Sequence, residues 1–157
     1  MMKSKFVVIK LTILFSLLTT FAYSQKEEIR KKNFNVAGGI AIAGYDPVSY
    51  FDHKPLKGKS DYSYKHEGIT YLFANENNLK RFKTSVDKYE PEYGGWCAYA
   101  MGESGEKVKI DPETYKIYNG KLYLFYNFWL NNTLKDWNKD EAKLKQNADL
   151  NWKKILH

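Results

Sequence analysis

Alternating apolar and polar positions mark two β-hairpins in the chain. In the first, an alternating aromatic and polar segment precedes the turn Glu67-Gly68, and Ile69–Phe73 follows as a strand rich in β-branched and aromatic side chains. In the second, Asn119-Gly120 separates residues 115–118 from residues 121–125. Asn-Gly between two such runs is a strong short-range hairpin signal, so the pattern predicts two antiparallel hairpins.

Apolar residues at helical spacing predict helices around these hairpins. One follows Asn75, a residue type favoured at helix N-caps, and its apolar face carries Leu79, Phe82 and Val86. Two more helices close the chain, and the first of them is expected to begin near Asn127. Their apolar faces consist of Leu130, Leu134 and Trp137 in the first, and of Leu144, Ala148, Trp152 and Ile155 in the second.

These elements predict an α+β fold, organised as a single compact domain in which two antiparallel β-hairpins pack against about four helices. The charged residues 25–35 are expected to form a loose helix or an N-terminal linker. Residues 36–157 are expected to form the domain with its helical C-terminal tail. We find no internal repeat and no sign of a second domain in the sequence.

The N-terminus is typical of a secretory signal peptide. Lysines precede an apolar stretch over residues 11–22, which is too short to span a bilayer as a helix. Ala22 and Ser24 place small residues at the two positions that a signal peptidase reads. We therefore predict that residues 1–24 are removed before Gln25 and that the protein is exported, to a periplasm or the outside. An uncleaved N-terminal anchor is the alternative.

Composition narrows the function classes. The chain has 157 residues, of which 17% are aromatic, and this supply of rings is sufficient for a sizeable core. Its single cysteine excludes an intramolecular disulfide framework and zinc sites that need two cysteines. Loss of residues 1–24 removes three lysines and no acid, so the net charge falls from +7 to +4. The lysines are scattered among acids, which argues against nucleic acid as a partner.

Several segments, taken in order, resemble the YHS-domain family. They include Gly-Tyr-Asp-Pro-Val-Ser-Tyr-Phe over residues 44–51, the strand end Tyr-Leu-Phe over residues 71–73, the helix that reaches Phe82, and Lys88-Tyr89. The longer exported members continue through segments similar to residues 93–98 (Tyr-Gly-Gly-Trp-Cys-Ala) and 120–124 and end in a Trp-bearing tail, here with Trp137 and Trp152. The resemblance covers most of residues 36–152 and implies a YHS-like fold.

The resemblance also allows the metal-ligand positions implied for the family to be compared with this sequence. Short members of the family are associated with metal handling, and the ligands implied for them are cysteines at three positions. This sequence has Ser49, Ala74 and Asn78 at those positions. Serine and alanine are not useful ligands for a soft metal, and asparagine is a weak oxygen donor. The resemblance therefore extends to the fold and not to the family's mode of metal binding.

Cys97 is the centre of the candidate chemistry, and three interpretations of it stay open. In the first, the protein is a binding module for a small ligand or a metal ion near Cys97. In the second, Cys97 is the reactive thiol of a redox enzyme, although no activating base is evident beside it. In the third, Cys97 is a small apolar residue in the core of a structural or interaction domain.

Residues that accompany Cys97 in the first interpretation form two sets. A single copper or zinc ion would have Met101 or Asp46 as further ligands, although Asp46 also fits a cap of the turn that starts at Pro47. A small organic ligand would be walled by aromatic side chains. The candidate ligand-binding residues are Cys97, Trp96, Tyr45 and Tyr93. No phosphate-binding loop, serine nucleophile elbow or two-histidine zinc motif occurs, so no catalytic residue is assigned.

Overall fold

The structure, a computed structural model, describes residues 24–157, so residues 1–23 of the predicted signal peptide lie outside the described residues. The predicted α+β class is confirmed, with six α-helices within the described residues around small, mostly antiparallel sheets. The helices are α1 (residues 24–33), α2 (Glu76–Thr84), α3 (Val86–Tyr89), α4 (Ala98–Glu103), α5 (Thr133–Trp137) and α6 (Glu141–Leu156). The strands are β1 (Val36–Ala37), β2 (Ile40–Ala41), β3 (Lys59–His66), β4 (Ile69–Phe73), β5 (Asp111–Tyr118), β6 (Lys121–Phe125), β7 (Asn127–Phe128) and β8 (Asn131–Asn132).

The first predicted hairpin is confirmed as β3 and β4, joined at Glu67-Gly68. It belongs to a four-stranded sheet with the order β1-β2-β4-β3, in which β2 runs parallel to β4. Alternate residues of β4 (Ile69, Tyr71 and Phe73) are fully buried. Because successive side chains of a strand point to opposite faces, this alternation allowed the strand and its core-facing side to be predicted from the sequence.

The second predicted hairpin is confirmed as β5 and β6, and its strand β6 separates two core clusters. Asn119 and Gly120 both have positive φ, as a tight two-residue turn requires. Leu122 and Leu124 face the cluster beneath the first sheet, while Tyr123 and Phe125 face a second cluster with α4, α5 and α6. One strand thus contributes to both halves of the interior.

Residues 25–35, expected as a loose helix or linker, mostly form α1, which packs against the domain. The buried Arg30 forms a bidentate pair with Glu90, and the Tyr71 hydroxyl donates to the same carboxylate. Burial and the Glu90 carboxylate hold the pKa of Tyr71 well above its ordinary value, so the phenol keeps its proton as a donor. Within residues 24–157, no helix is long and apolar enough to cross a membrane.

Two helix predictions need correction. The helix after Asn75 does not run unbroken to Val86, because Ser85 leaves the helical conformation and divides it into α2 and α3. The predicted start of the next helix, near Asn127, is wrong. Asn127 opens the β7–β8 hairpin, and α5 begins only at Thr133. The Asn132 side chain accepts from the backbone N–H of Leu134 at 3.1 Å and thereby caps α5.

Close backbone contact between α4 and α6 fixes the second cluster. A Cβ atom on Gly102 would lie 2.4 Å from the carbonyl oxygen of Leu144, which is far inside van der Waals contact. Asn151 on the same helix donates its side-chain N–H to the carbonyl of Met101 at 2.9 Å. The position of α4 therefore depends on the absence of a side chain at residue 102.

We expect Gly102→Ala to destabilise the protein by about 1–3 kcal/mol, because overpacking against backbone outweighs alanine's better helix propensity. Urea denaturation followed by circular dichroism measures this. Gly120→Ala is the comparison without a steric contact, because its Cβ would meet nothing within 4 Å. Its φ of +71° is left-handed, so this variant measures only the cost of that conformation, roughly 1–2 kcal/mol of unfolding free energy. A Gly102→Ala variant as stable as the parent would contradict the close contact.

Candidate functional site

Cys97 lies immediately before α4, where the chain leaves the Gly94-Gly95 turn. Its backbone pairs with β6 at Leu124, and its N–H donates to the carbonyl of Val108 at 3.0 Å. The residue has no exposed surface. The bridge to Leu124 thus holds Cys97 against β6 at the start of α4.

The thiol has two polar partners. The backbone N–H of Tyr126 donates to Sγ at 3.3 Å, and Sγ lies 3.4 Å from the hydroxyl oxygen of Thr133. Thr133 donates its single hydroxyl hydrogen to the carbonyl of Tyr126 at 2.9 Å. The shared proton between Cys97 and Thr133 therefore comes from the thiol, because a hydroxyl has one hydrogen to give. Cys97 is both donor and acceptor in a closed hydrogen-bond set.

A cleft of about 340 Å³ begins beside Cys97, and its size falls within the range of small-molecule sites. Tyr99, Val108 and Tyr126 form apolar and aromatic walls, while Cys97 and Thr133 lie at its inner end. Further lining comes from Ala100, Glu103, Ser104, Glu106 and Asn131. Among the described residues that line this cleft, none is Lys, Arg or His, so Glu103 and Glu106 give the lining a negative charge.

The Tyr99 phenol is affected by this setting. Partial removal from water raises the pKa of Tyr99 above its ordinary value, and the nearby Glu103 carboxylate raises it further. The phenol therefore stays protonated and neutral in the ordinary pH range. The Glu103 and Glu106 carboxylates and the Tyr99 and Tyr126 rings can stabilise a positive group by charge and by cation–π contact.

The other predicted ligand-binding residues lie elsewhere. Trp96 is half-buried and its indole N–H donates to the carbonyl of Asn33 at 2.6 Å. The Tyr93 hydroxyl donates to Asp149 at 2.9 Å, and this ring lines a separate cleft of about 360 Å³. Of the four predicted residues, only Cys97 lines the cleft of about 340 Å³. The last of them, Tyr45, donates its hydroxyl to Glu113 at 2.9 Å.

Asp46 and Met101, the predicted further metal ligands, are both fully buried but belong to different surroundings. Met101 lies one helical turn after Cys97 and donates its backbone N–H to the Cys97 carbonyl at 3.0 Å. Asp46 lies in a loop that packs beside the N-terminus of α2. Its two carboxylate oxygens accept from Val48 N–H at 2.8 Å, Ala74 N–H at 2.9 Å and the Asn78 side-chain amide at 2.6 Å.

The acceptor capacity of Asp46 is thus used in bracing the turn after Pro47 against α2. Over residues 24–157, no group of three or more His, Cys, Asp or Glu side chains is placed to hold a metal ion. The three ligands predicted for copper or zinc do not meet at one point. Sequence reasoning also missed Thr133 and Tyr126, whose contact with Cys97 depends on the β7–β8 hairpin that the helical pattern concealed.

In comparisons with protein-family models, curated proteins and solved structures, none matched this chain.

Because Cys97 has no exposed surface, we expect its thiol to react with iodoacetamide in the native protein far more slowly than in urea. Mass spectrometry of the labelled chain over time measures this, and the single cysteine makes the reading unambiguous. Native labelling as fast as that of the unfolded chain would contradict the burial and would favour the redox interpretation.

We expect Asp46→Asn to destabilise the protein by about 1–3 kcal/mol, because an amide leaves at least one buried donor without an acceptor. The measurement is the free energy of unfolding in urea. Asp61→Asn, at an exposed position of β3, is the matched control and should have little effect. Equal stabilities of the two variants would be inconsistent with a bracing role for Asp46.

Proposed function

We propose that this protein is an exported, YHS-like binding module, and that the cleft beside Cys97 binds a small organic ligand with a cationic group. The observation that carries the proposal is the lining of the cleft, in which Tyr99 and Tyr126 combine with Glu103 and Glu106. The export proposal rests on the N-terminal pattern, and recovery of a chain that begins at Gln25 from the exported fraction tests it.

The surroundings of Asp46 support the YHS-like part of the proposal. Ser49, Ala74 and Asn78 occupy the positions at which the family resemblance implies cysteines. Here all three contact Asp46: Ser49 donates its hydroxyl to the Asp46 carbonyl at 2.7 Å, while the Ala74 backbone N–H and the Asn78 side-chain amide donate to the carboxylate. Convergence of three separated positions is what a common ligand site requires. A hydrogen-bond network replaces the soft ligands in this chain.

The chemistry of the cleft favours a ligand with an apolar body and one positive charge. The rings of Tyr99 and Tyr126 offer flat apolar surface, and the two carboxylates at the rim favour an ammonium group. An anionic ligand would face like charge without a basic residue among the lining residues. The metal version of the proposal has less support, because Asp46 is committed elsewhere and only Met101 lies near Cys97 in sequence and structure.

The test is a calorimetric titration with three probes of similar size: 2-phenylethylamine, 2-phenylethanol and phenylacetate. We expect the amine to bind most tightly and the carboxylate least tightly. Glu103→Gln and Glu106→Gln should each weaken amine binding by about two- to fivefold, as exposed charge pairs do. Glu28→Gln, at an exposed position of α1, is the matched control and should leave binding unchanged.

Equal affinity for the three probes would overturn the proposal, and so would the absence of binding by any of them. Cys97→Ser separates the alternatives, because serine removes the sulfur and still offers a hydrogen-bond donor and acceptor. Binding that survives this substitution assigns Cys97 to the structure of the cleft, whereas loss of binding with the fold intact assigns it to ligand contact.

A further inference from the structure

Three consecutive large apolar residues project into solvent at the tip of the β7–β8 hairpin. The exposed fraction is 62% for Phe128, 87% for Trp129 and 101% for Leu130. Polar, uncharged asparagines flank them, and no charged residue occurs from Tyr126 to Leu134. Isolated exposed apolar residues are ordinary on protein surfaces, but a contiguous group of this kind marks an interaction site.

The tip is held by the rest of the fold. Asn127 pairs with Asn132 and Phe128 pairs with Asn131, which leaves Trp129 and Leu130 as the two turn residues. Asn127 also donates its side-chain amide to Thr114 on β5 at 3.0 Å. The apolar side chains are thus presented on a supported hairpin.

Trp129 has a backbone conformation that does not favour tryptophan. Its φ is +56°, in the left-handed region where glycine and asparagine are favoured and bulky residues are outliers. A turn selected only for the stability of the hairpin would carry glycine or asparagine at residue 129, as the β5–β6 turn of this chain carries Asn119 at its first turn position. The bulky residue at this position therefore points to a role outside the folded core.

The shape and size of the tip favour a lipid surface over a protein groove. At roughly 150–250 Å² for each aromatic side chain, the three residues offer on the order of 500 Å². A stable protein interface buries about 800 Å² on each partner, and a convex tip would need a matching cavity. A bilayer needs no complementary shape, and tryptophan is enriched where membrane meets water.

The net charge of the protein is consistent with docking on an anionic lipid surface. Residues 24–157 have a net charge of +4, which favours anionic headgroups over long range. Lys135 is exposed in α5, shortly after the hairpin, and is followed by Asp136. The uncharged segment from Tyr126 to Leu134 allows the tip to enter the interface without burying an ion.

We propose that the Phe128-Trp129-Leu130 tip inserts into the interface of a lipid bilayer and docks the domain on its surface. The inference does not depend on the cleft, although Asn131 and Thr133 belong to both the hairpin region and the cleft lining. Docking would therefore hold the mouth of the cleft near the headgroups.

The experiment uses the full chain and a readout local to the tip, because the apolar residues 11–22 can themselves bind lipid. Tryptophan emission is recorded with vesicles of phosphatidylcholine and phosphatidylglycerol, with and without brominated acyl chains. We expect vesicles to shift the emission to the blue and brominated lipid to quench it. Both effects should disappear in Trp129→Phe, which identifies Trp129 as the residue that enters the lipid.

Trp129→Gly combined with Leu130→Ser removes the apolar tip while placing glycine at the position with positive φ, so the variant should fold at least as well as the parent. Because this variant lacks the Trp129 reporter, its binding is measured by co-sedimentation with the same vesicles, and we expect less binding than for Trp129→Phe, which keeps an apolar tip. Leu150→Ser, at another exposed apolar position on α6, is the matched control and should keep both the blue shift and the binding. Unshifted and unquenched Trp129 in the presence of vesicles would overturn the proposal. A blue shift that depends on protein concentration without lipid would also overturn it, in favour of a second copy.

Discussion

The packing of Trp152 into the space left by Gly94 is the contact on which the arrangement of this domain depends. Trp152 is the tail residue that packs against both core clusters, and its ring meets Phe34 edge to face at 5.6 Å. A Cβ at Gly94 would lie 2.7 Å from the indole, and the φ of +60° there also favours glycine. The same helix α6 carries Leu144, whose backbone lies against Gly102 of α4, so the position of Trp152 also bears on the packing of α4.

The hairpins and the core face of β4 were predictable because their determinants are local. Asn119-Gly120 specifies a turn whatever surrounds it, and the alternation in Ile69–Phe73 reports one buried face. The same local reasoning explains the N-cap at Asn75, which accepts from Asn78 N–H at 2.9 Å. Each of these features is decided by residues within a few positions of one another, so tertiary contacts had little to override.

The β7–β8 hairpin and the cleft were not predictable in this way. Leu130, Leu134 and Trp137 satisfy helical spacing, yet Leu130 is fully exposed and only Trp137 is fully buried. The asparagine before Thr133 caps a helix that starts later, and the preceding residues pair with each other instead. The partners of Cys97 follow from this hairpin, since it brings Thr133 back to the Tyr126 carbonyl. Tyrosines such as Tyr45 were too numerous for sequence alone to separate walls from core.

The hydrogen bonds around Cys97 connect the buried thiol with the exposed part of the molecule. Thr133 N–H and hydroxyl both donate to the Tyr126 carbonyl, which closes the base of the β7–β8 hairpin. Tyr126 N–H in turn donates to Sγ, so the same two residues tie the thiol, the inner end of the cleft and the hairpin together. The tip and the cleft are thus joined by a few hydrogen bonds between neighbouring residues. The cysteine therefore contributes to the geometry of both surfaces whether or not its sulfur contacts a ligand.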